Sequence, residues 1–380
     1  SAPQGLLALG TDTGIVKVFG THGVESTFVC PDYKSAVTHM VFSHSGSTLI
    51  AVHANTTIRL LDVKNQRIRA TLKPGWTGAM VSSIHLCPKS ASAPFLYLGT
   101  DEGSLHVLHL MKMEFAEYVI DAEMFGVETD DEDNDDEVVA IASNPNDANE
   151  VLVAHEFSGI ALWNLTKRRS EKRFACPKEV YLGSNSSKRG GRRGSFHGVQ
   201  LPSLASVSWH PYGRQFVAGY TNGAVVVYDT NHKASGKIQP IHYDSIAMPK
   251  QLLSVVWASD MKGKNGPGHI IVSGGHETCG VTILWQNPMH KKAASAQEWI
   301  VGDVALPMTG DGPVSSMLMP TWDSSPIMQL LVTYPQPRDH DGLTPGTPRH
   351  PSGYIALSGD PQDGIHPRLY VQALPSEIGN

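Results

Sequence analysis

The chain has 380 residues, of which 41% are hydrophobic and 17% are charged, a composition that is typical of folded globular proteins and excludes a disordered chain. Its formal net charge of −6 argues against general binding to nucleic acid. No apolar run approaches the roughly 18 residues of a membrane span, so we expect a soluble protein. Wide spacing of Cys30, Cys87, Cys176 and Cys279 fits neither a zinc site nor a disulfide framework, which indicates free thiols and a cytoplasmic location.

A short sequence motif recurs along the chain: an apolar strand, a glycine-bearing turn and a second apolar strand. It is first seen as LLALGTDTGIVKVFG at residues 6–20. It returns with Asn55 in place of the glycine at residues 49–62, and then at residues 95–110, 151–165, 216–229 and 270–285. Every copy of the motif after the first is preceded by a segment in which large apolar residues alternate with small or polar ones. This alternation predicts a half-buried strand.

Seven units of this kind can be counted. The first, at residues 6–20, lacks the preceding run, and the seventh, at about 313–359, is weak. The other five lie near 36–67, 80–114, 137–169, 204–233 and 252–289. Hairpin repeats of this size predict an all-β, WD40-like seven-bladed β-propeller, and we expect residues 1–380 to form it as a single domain. RLYVQAL at residues 368–374 is the candidate strand for completing the first unit.

Three connections between the units are long and polar. They lie near 121–137, 167–200 and 335–352. Long segments without apolar periodicity are usually functional or disordered, so we predict loops at all three.

Several of these repeats resemble a known family. LALGTDTGIVKVFGTHGVE at residues 7–25 resembles the opening blade of the lethal giant larvae/tomosyn family, and FLYLGTDEGSLHVLHL at residues 95–110 is similar to a later strand pair of that family. SVSWHPYGRQFVAGYTNGAVVVYD at residues 206–229 and IIVSGGHETCGVTIL at residues 270–284 continue the resemblance in order. The tail beyond Pro313 resembles the family only loosely.

The resemblance implies a role as a non-enzymatic scaffold. Members of the family have two tandem seven-bladed propellers, of which this chain would be the first. The family implies binding to Q-SNARE proteins of the syntaxin and SNAP25 type, regulation of vesicle exocytosis, and a role in cortical cell polarity. Rab-type GTPases, myosin II and a polarity kinase are further partners that it implies, at the plasma membrane or the cell cortex.

Basic residues on the second long connection are the sharpest candidate site. Nine cations lie on this connecting segment. Each Lys or Arg near an anionic membrane contributes about 1 kcal/mol to the attraction between protein and membrane. We predict a membrane- or partner-binding role; a solvated loop without a role is the alternative interpretation. The nine are Lys167, Arg168, Arg169, Lys172, Arg173, Lys188, Arg189, Arg192 and Arg193.

Four hydroxyl side chains are candidate phosphorylation sites. Ser195 follows two arginines in the form that basophilic kinases read, and Ser170 lies in the upstream basic run. A phosphate adds a charge of about −2, which would weaken attraction to an anionic membrane. Thr344 and Thr347 each precede a proline and are candidates for proline-directed kinases.

Other motifs favour structure over chemistry. The acidic run at residues 130–137 lacks the glycine and the terminal glutamate placement of an EF-hand, and a solvated loop is the simpler interpretation. His276, Glu277 and Cys279 lie in a glycine-rich turn with no second half-site for a metal. No P-loop, G-x-S-x-G, H-E-x-x-H or G-x-G-x-x-G motif is found in the sequence. We therefore expect no catalytic residue, no cofactor and no metal.

Three alternative functions stay open: a generic protein-interaction propeller, a propeller enzyme, which should show convergent acidic or His residues near the blade-centre turns, and a substrate receptor. A WD-repeat substrate receptor of a ubiquitin ligase would carry a W-D-x-R motif after a third strand. The nearest match is Trp163-Asn164-Leu165-Thr166, which lacks both the Asp and the Arg.

Overall fold

The computed structural model describes most of the chain up to residue 230 and only strands beyond it. The described ranges are 6–20, 23–30, 35–88, 90–121, 123–125, 136–177, 180, 202–210, 213–222 and 224–230, followed by ten strands between residues 240 and 373. Within those ten strands, Val255 is the residue whose side chain is described. The chain divides into two compact units, Ser1–Arg173 and Phe174–Asn380.

The first unit consists of four antiparallel sheets in which each strand pairs with the next along the chain. The first sheet has three strands, β1 (Leu7–Gly10), β2 (Ile15–Gly20) and β3 (Gly23–Val29). The second has β4 (Val37–Phe42), β5 (Thr48–His53), β6 (Ile58–Asp62) and β7 (Arg67–Leu72). The third has β8 (Val81–Leu86), β9 (Phe95–Thr100), β10 (Leu105–His109) and β11 (Glu114–Phe115), and the fourth has β12 (Val138–Ser143), β13 (Glu150–His155), β14 (Gly159–Asn164) and β15 (Arg169–Phe174).

The second unit repeats this plan. One sheet contains β16 (Leu204–Trp209), β17 (Gln215–Tyr220), β18 (Val225–Asp229) and β19 (Pro240–Ile241). The next contains β20 (Gln251–Ala258), β21 (His269–Gly275), β22 (Val281–Gln286) and β23 (Trp299–Val301). A short hairpin, β24 (Met308–Thr309) and β25 (Gly312–Pro313), precedes a sheet of β26 (Ile327–Thr333), β27 (Gly353–Asp360) and β28 (Ile365–Ala373).

Two predictions about strands need correction. RLYVQAL lies in β28, which pairs with β27 rather than with the first sheet. Arg169–Phe174 was expected to belong to a loop but forms β15, the outer strand of the fourth sheet. An edge strand with one solvated face tolerates a polar, charged sequence, and for that reason R-S-E-K-R-F lacks the apolar pattern of the inner strands.

The first long connection also contains structure. Glu123–Phe125 forms a short 3-10 helix with Phe125 buried. The third connection, near 335–352, lies outside the described residues.

The core of the first unit is formed by successive sheets packing against each other. Alternate side chains of β5 point to opposite sheets: Leu49 and Ala51 pack against residues of the first sheet, whereas Ile50 and Val52 pack against residues of the third. The third and fourth sheets meet in the same way around Trp163. Strands covered on both faces read as nearly continuous apolar runs, which explains why the second strand of each repeat was easy to recognise.

The turn between the second and third strands of the four-stranded sheets, which corresponds to the β1–β2 turn of the three-stranded first sheet, is tight. Gly14 and Gly103 occupy it with φ of 82° and 79° in the first and third sheets. In the second sheet the same backbone position is filled by Thr56, with φ of 62°, and not by Asn55 as the sequence alignment of the repeats suggested. Asn55 instead accepts a hydrogen bond from Thr57 N through its side-chain oxygen at 3.2 Å, which helps to hold a conformation that a β-branched residue rarely adopts.

Histidines connect neighbouring sheets. The Nε2 atom of His39 lies 2.9 Å from the carbonyl oxygen of Ser82, and Nε2 of His85 accepts the N–H of Ser143 at 3.1 Å. In both cases the imidazole of a first strand forms a hydrogen bond with a backbone group on the first strand of the next sheet.

The described cysteines agree with the expectation of free thiols. Among the described residues, Cys30, Cys87 and Cys176 form no disulfide bond. Burial raises the pKa of Cys87, and it raises the pKa of Cys176 to about 11. Both thiols therefore stay protonated at neutral pH and are poor nucleophiles.

We expect Gly99→Ala to destabilise the protein, because sheet packing leaves no room for a side chain there. A Cβ at Gly99 would lie 2.5 Å from Cγ1 of Val138 on the neighbouring sheet, and overpacking of this kind costs about 1 to 3 kcal/mol. Urea denaturation should show the loss. The matched control is Gly75→Ala, where no atom lies within 4 Å of the added Cβ; equal effects of the two substitutions would contradict this account of the packing.

We also expect stability to fall between pH 7 and pH 5, in part through His85. Burial, followed by the nearby His44, lowers the pKa of His85 to about 4. In the unfolded chain this histidine takes up a proton near pH 6.5, whereas in the folded chain it stays neutral until about pH 4. The free energy of unfolding therefore decreases by about 1 to 2 kcal/mol as the pH falls from 7 to 5. His85→Gln keeps an acceptor for Ser143 but does not titrate. Its unfolding free energy should change less between the two pH values, and an unchanged slope would refute the assignment.

Candidate interaction surface

The basic residues of the predicted site fall on the outer strand of the fourth sheet and the turn before it. Lys167, Arg168, Arg169 and Arg173 are exposed, and Lys172 is half-buried. We call these five residues the fourth-sheet basic strand. The other four predicted cations, at 188, 189, 192 and 193, lie outside the described residues, as do Ser195, Thr344 and Thr347. Ser170 is half-buried and its hydroxyl donates to the carbonyl oxygen of Lys172 at 3.3 Å.

The turn that presents these cations is well defined. The side-chain oxygen of Asn164 accepts the N–H of Lys167 at 2.9 Å, and Arg168 adopts a left-handed conformation with φ of 52°. A polar residue at the end of the third strand thus caps the turn. Equivalent turns recur at Asp62, which accepts from Asn65 N, and at His109, which accepts from Lys112 N.

Local contacts hold two of the cations only weakly. Nζ of Lys167 lies 2.5 Å from Oε1 of Glu171, both on exposed or partly exposed side chains. The guanidinium of Arg168 lies over the ring of Tyr118, 4.7 Å from its centroid. Exposed pairs of these kinds contribute at most about 1 kcal/mol. Among the described residues, Arg169 and Arg173 have no ion-pair partner, so their charges are available to a ligand.

A second basic outer strand was missed by the sequence analysis. On β7 and its flanks the side chains of Lys64, Arg67, Arg69 and Lys73 are all exposed. Arg67 makes a long contact of 3.8 Å with Asp62, whose pKa is lowered first by its hydrogen bonds from Asn65. The alternation in R-I-R-A-T-L was the available signal, because on an edge strand it places both arginines on the solvated face.

The acidic run is not wholly a solvated loop. Asp136 is 7% exposed, and its two carboxylate oxygens accept the N–H groups of Phe157 and Ser158 at 2.8 and 2.9 Å. It therefore caps the turn between β13 and β14. Its neighbour Glu137 has a raised pKa, caused first by burial and then by the charges of Glu156 and Asp101. The prediction of a solvated loop was wrong for Asp136.

The structure also bears on metal binding and on membrane insertion. In the part of the chain that the structure describes, no group of three or more His, Cys, Asp or Glu side chains is placed to hold a metal ion. His276 and Cys279 lie outside that part. No helix among the described residues has the length and apolar character to cross a bilayer.

Comparisons with known proteins give the class of the fold. Residues 1–88 match the family model of the anaphase-promoting complex subunit 4 WD40 domain. One chain in the crystal structure of the mitotic checkpoint complex superposes with a TM-score of 0.53 at 15% identity, covering 75% of this chain and 74% of that chain. At this identity the similarity shows the fold alone. The protein is thus an all-β, WD40-like propeller, as the repeats predicted.

Within that class, the chain is similar to a lethal giant larvae protein. It is 28% identical over 201 residues to the lethal(2) giant larvae protein of Drosophila pseudoobscura pseudoobscura. The alignment covers 48% of this chain and 16% of that relative, so the chain spans much less than the relative's length. Together the comparisons confirm the predicted resemblance: this is a WD-repeat propeller like that of the lethal giant larvae proteins.

We expect Asp136→Ala to lower the free energy of unfolding by about 2 to 3 kcal/mol, because two backbone donors lose a charged acceptor in a buried place. Thermal or urea denaturation measures the loss. Glu102→Ala, which removes an exposed carboxylate from the turn of the neighbouring sheet, is the control and should be nearly neutral. A small effect at Asp136 would show that the turn does not depend on its cap.

Proposed function

We propose that the chain is a non-enzymatic scaffold that binds Q-SNARE proteins of the syntaxin or SNAP25 type and so regulates vesicle exocytosis or cortical polarity. Its relationship to the lethal giant larvae proteins supports the scaffold role. The propeller fold supports it as well, since rigid sheets fix the turns and edges on which partners are bound. Rab-type GTPases, myosin II and a polarity kinase are further candidate partners.

The proposed propeller has seven blades. The described strands form seven sheets of three or four strands, besides the two-stranded hairpin of β24 and β25. Six of the seven correspond to the units counted in the sequence through residue 289. The last corresponds to the weak seventh unit, with GYIALSG on its middle strand β27.

The fourth-sheet basic strand is the observation that carries the proposed location at the membrane or cell cortex. Four of its five cations are exposed at the edge of a sheet. Their attraction to anionic lipid, at about 1 kcal/mol each near the surface, adds to contacts with membrane-anchored SNAREs in holding the scaffold at the membrane. Phosphorylation in or near this strand, at Ser170 or Ser195, would weaken the attraction by adding negative charge.

Flotation with vesicles tests both parts of the proposal. Vesicles of neutral lipid carrying a reconstituted syntaxin–SNAP25-type complex should bind the chain through the SNAREs alone. Vesicles containing phosphatidylserine but no SNARE should bind it through its cations, and more weakly as salt increases. Neutralising Lys167, Arg168, Arg169 and Arg173 with glutamine should abolish most binding to the phosphatidylserine vesicles.

The control variant removes the same number of exposed cations from β7 and its flanks, at Lys64, Arg67, Arg69 and Lys73. An equal loss in both variants would contradict a specific role of the fourth-sheet basic strand. Absence of binding to the SNARE vesicles would contradict the SNARE proposal. In a separate affinity capture from cell lysate, recovery of a cullin-ligase adaptor without SNAREs would favour the substrate-receptor alternative.

A further inference from the structure

The two ends of the sheets in the first unit differ in charge. At one end, the turns between the third and fourth strands and the first residue of β15 carry Lys64, Lys112, Lys167, Arg168 and Arg169, and the same end also carries the carboxylates of Asp62, Asp147 and Glu150. At the other end lie the turns between the second and third strands, the equivalent β1–β2 turn of the three-stranded first sheet, and the segments that enter the first strands. This end carries Asp12, Asp101, Glu102, Asp136, Glu137 and Glu156.

Large apolar side chains are exposed at the acidic end. Met80, which precedes β8, is 57% exposed, and Phe157, in the turn between β13 and β14, is 42% exposed. Both backbones are fixed by carboxylates: Met80 N donates to Oδ1 of Asp101 at 2.8 Å, and Phe157 N donates to Oδ1 of Asp136 at 2.8 Å. The apolar groups are therefore carried on backbone that is held in place by hydrogen bonds.

These two positions belong to one continuous surface. Nε2 of His155, at the end of β13, lies 3.1 Å from the carbonyl oxygen of Gly103 in the turn of the third sheet. Backbone bonds tie Asp101 to Met80 and Glu156 to Glu137 at 3.1 and 2.9 Å. The charges of Asp101 and Glu156 both act on Glu137 and help to raise its pKa, which places carboxylates of two sheets side by side.

The neighbouring elements supply one cation and one further apolar group. The charge of Arg173, at the end of β15, acts on His155. Phe125 packs on the His155 ring with centroids 4.9 Å apart, which brings the adjacent Met124, 51% exposed, to the flank of the surface.

We propose that this surface, formed by Met80, Asp101, Glu102, Glu137, Glu156 and Phe157, binds a basic amphipathic segment of a partner protein. Covering exposed Met and Phe side chains removes apolar area from water, and such side chains are enriched where proteins bind each other. The carboxylates that surround them select a segment in which lysine or arginine alternates with apolar residues. An anionic membrane or an acidic helix would be repelled, so this surface and the fourth-sheet basic strand take different ligands.

Fluorescence anisotropy with a labelled amphipathic peptide of lysine and leucine tests the proposal on the full chain. Two matched peptides, one with glutamate for lysine and one with serine for leucine, should bind at least tenfold more weakly. Phe157→Ser should weaken binding about fivefold, the value expected for losing partial burial of one aromatic side chain. Glu102→Lys should weaken it about tenfold, and the difference should shrink at high salt.

Control substitutions come from the opposite end of the third sheet. Met111 is 74% exposed and Glu114 is exposed, so Met111→Ser and Glu114→Lys make the same chemical changes away from the proposed surface. Both should bind the peptide as the unaltered chain does, and thermal melts should show all four variants folded. Equal losses in the control and test variants, or equal binding of the glutamate peptide, would overturn the proposal. These results are independent of the vesicle experiment, which probes the basic strand.

Discussion

Each inner sheet of the first unit depends on being covered on both faces by its neighbours. A single strand such as β5 sends Leu49 and Ala51 toward one sheet and Ile50 and Val52 toward the other, so removing either neighbour would expose half of its apolar side chains. The fit is close enough that Gly10 and Gly99 cannot be enlarged: a Cβ at Gly10 would lie 2.6 Å from Cγ1 of Val37. Packing therefore occupies the faces of the inner strands and leaves edges and turns for other roles.

Polar side chains complete this arrangement where the sheets end. Asp136 caps one turn, Asn164 caps another, and His155 joins the turns of adjacent sheets. Each satisfies backbone groups that a turn leaves without a partner. Because the caps fix the backbone, the remaining turn residues are free to vary, and at one end of the third and fourth sheets they include the carboxylates that surround Met80 and Phe157. The proposed membrane contact on the edge strand β15 and the proposed site for a basic segment therefore use different residues of the first unit.

Repetition made the inner strands predictable, whereas the outer strands and caps were harder. The apolar runs around Val16, Leu98 and Val153 stand out because both their faces are buried. β15 was mistaken for the start of a loop because an edge strand needs no apolar alternation on its solvated side. Asp136 was assigned to solvent because its neighbours in sequence are acidic, although its carboxylate turns inward to two N–H groups contributed by residues about twenty positions later. Thr56 was overlooked because a β-branched residue is unexpected at a left-handed φ.

By itself the sequence determined the repeat, the order of the inner hairpins, the family resemblance and the presence of five cations near Lys167. All of these depend on patterns that are local in the chain. Tertiary structure alone decided that Met80 and Phe157 share one surface, that Glu137 feels the charges of Asp101 and Glu156, and that β7 and β15 are both exposed edges. The physical reason is that such relations join residues through the packing of neighbouring sheets. Contacts between separate repeats leave no periodic signal in any one of them.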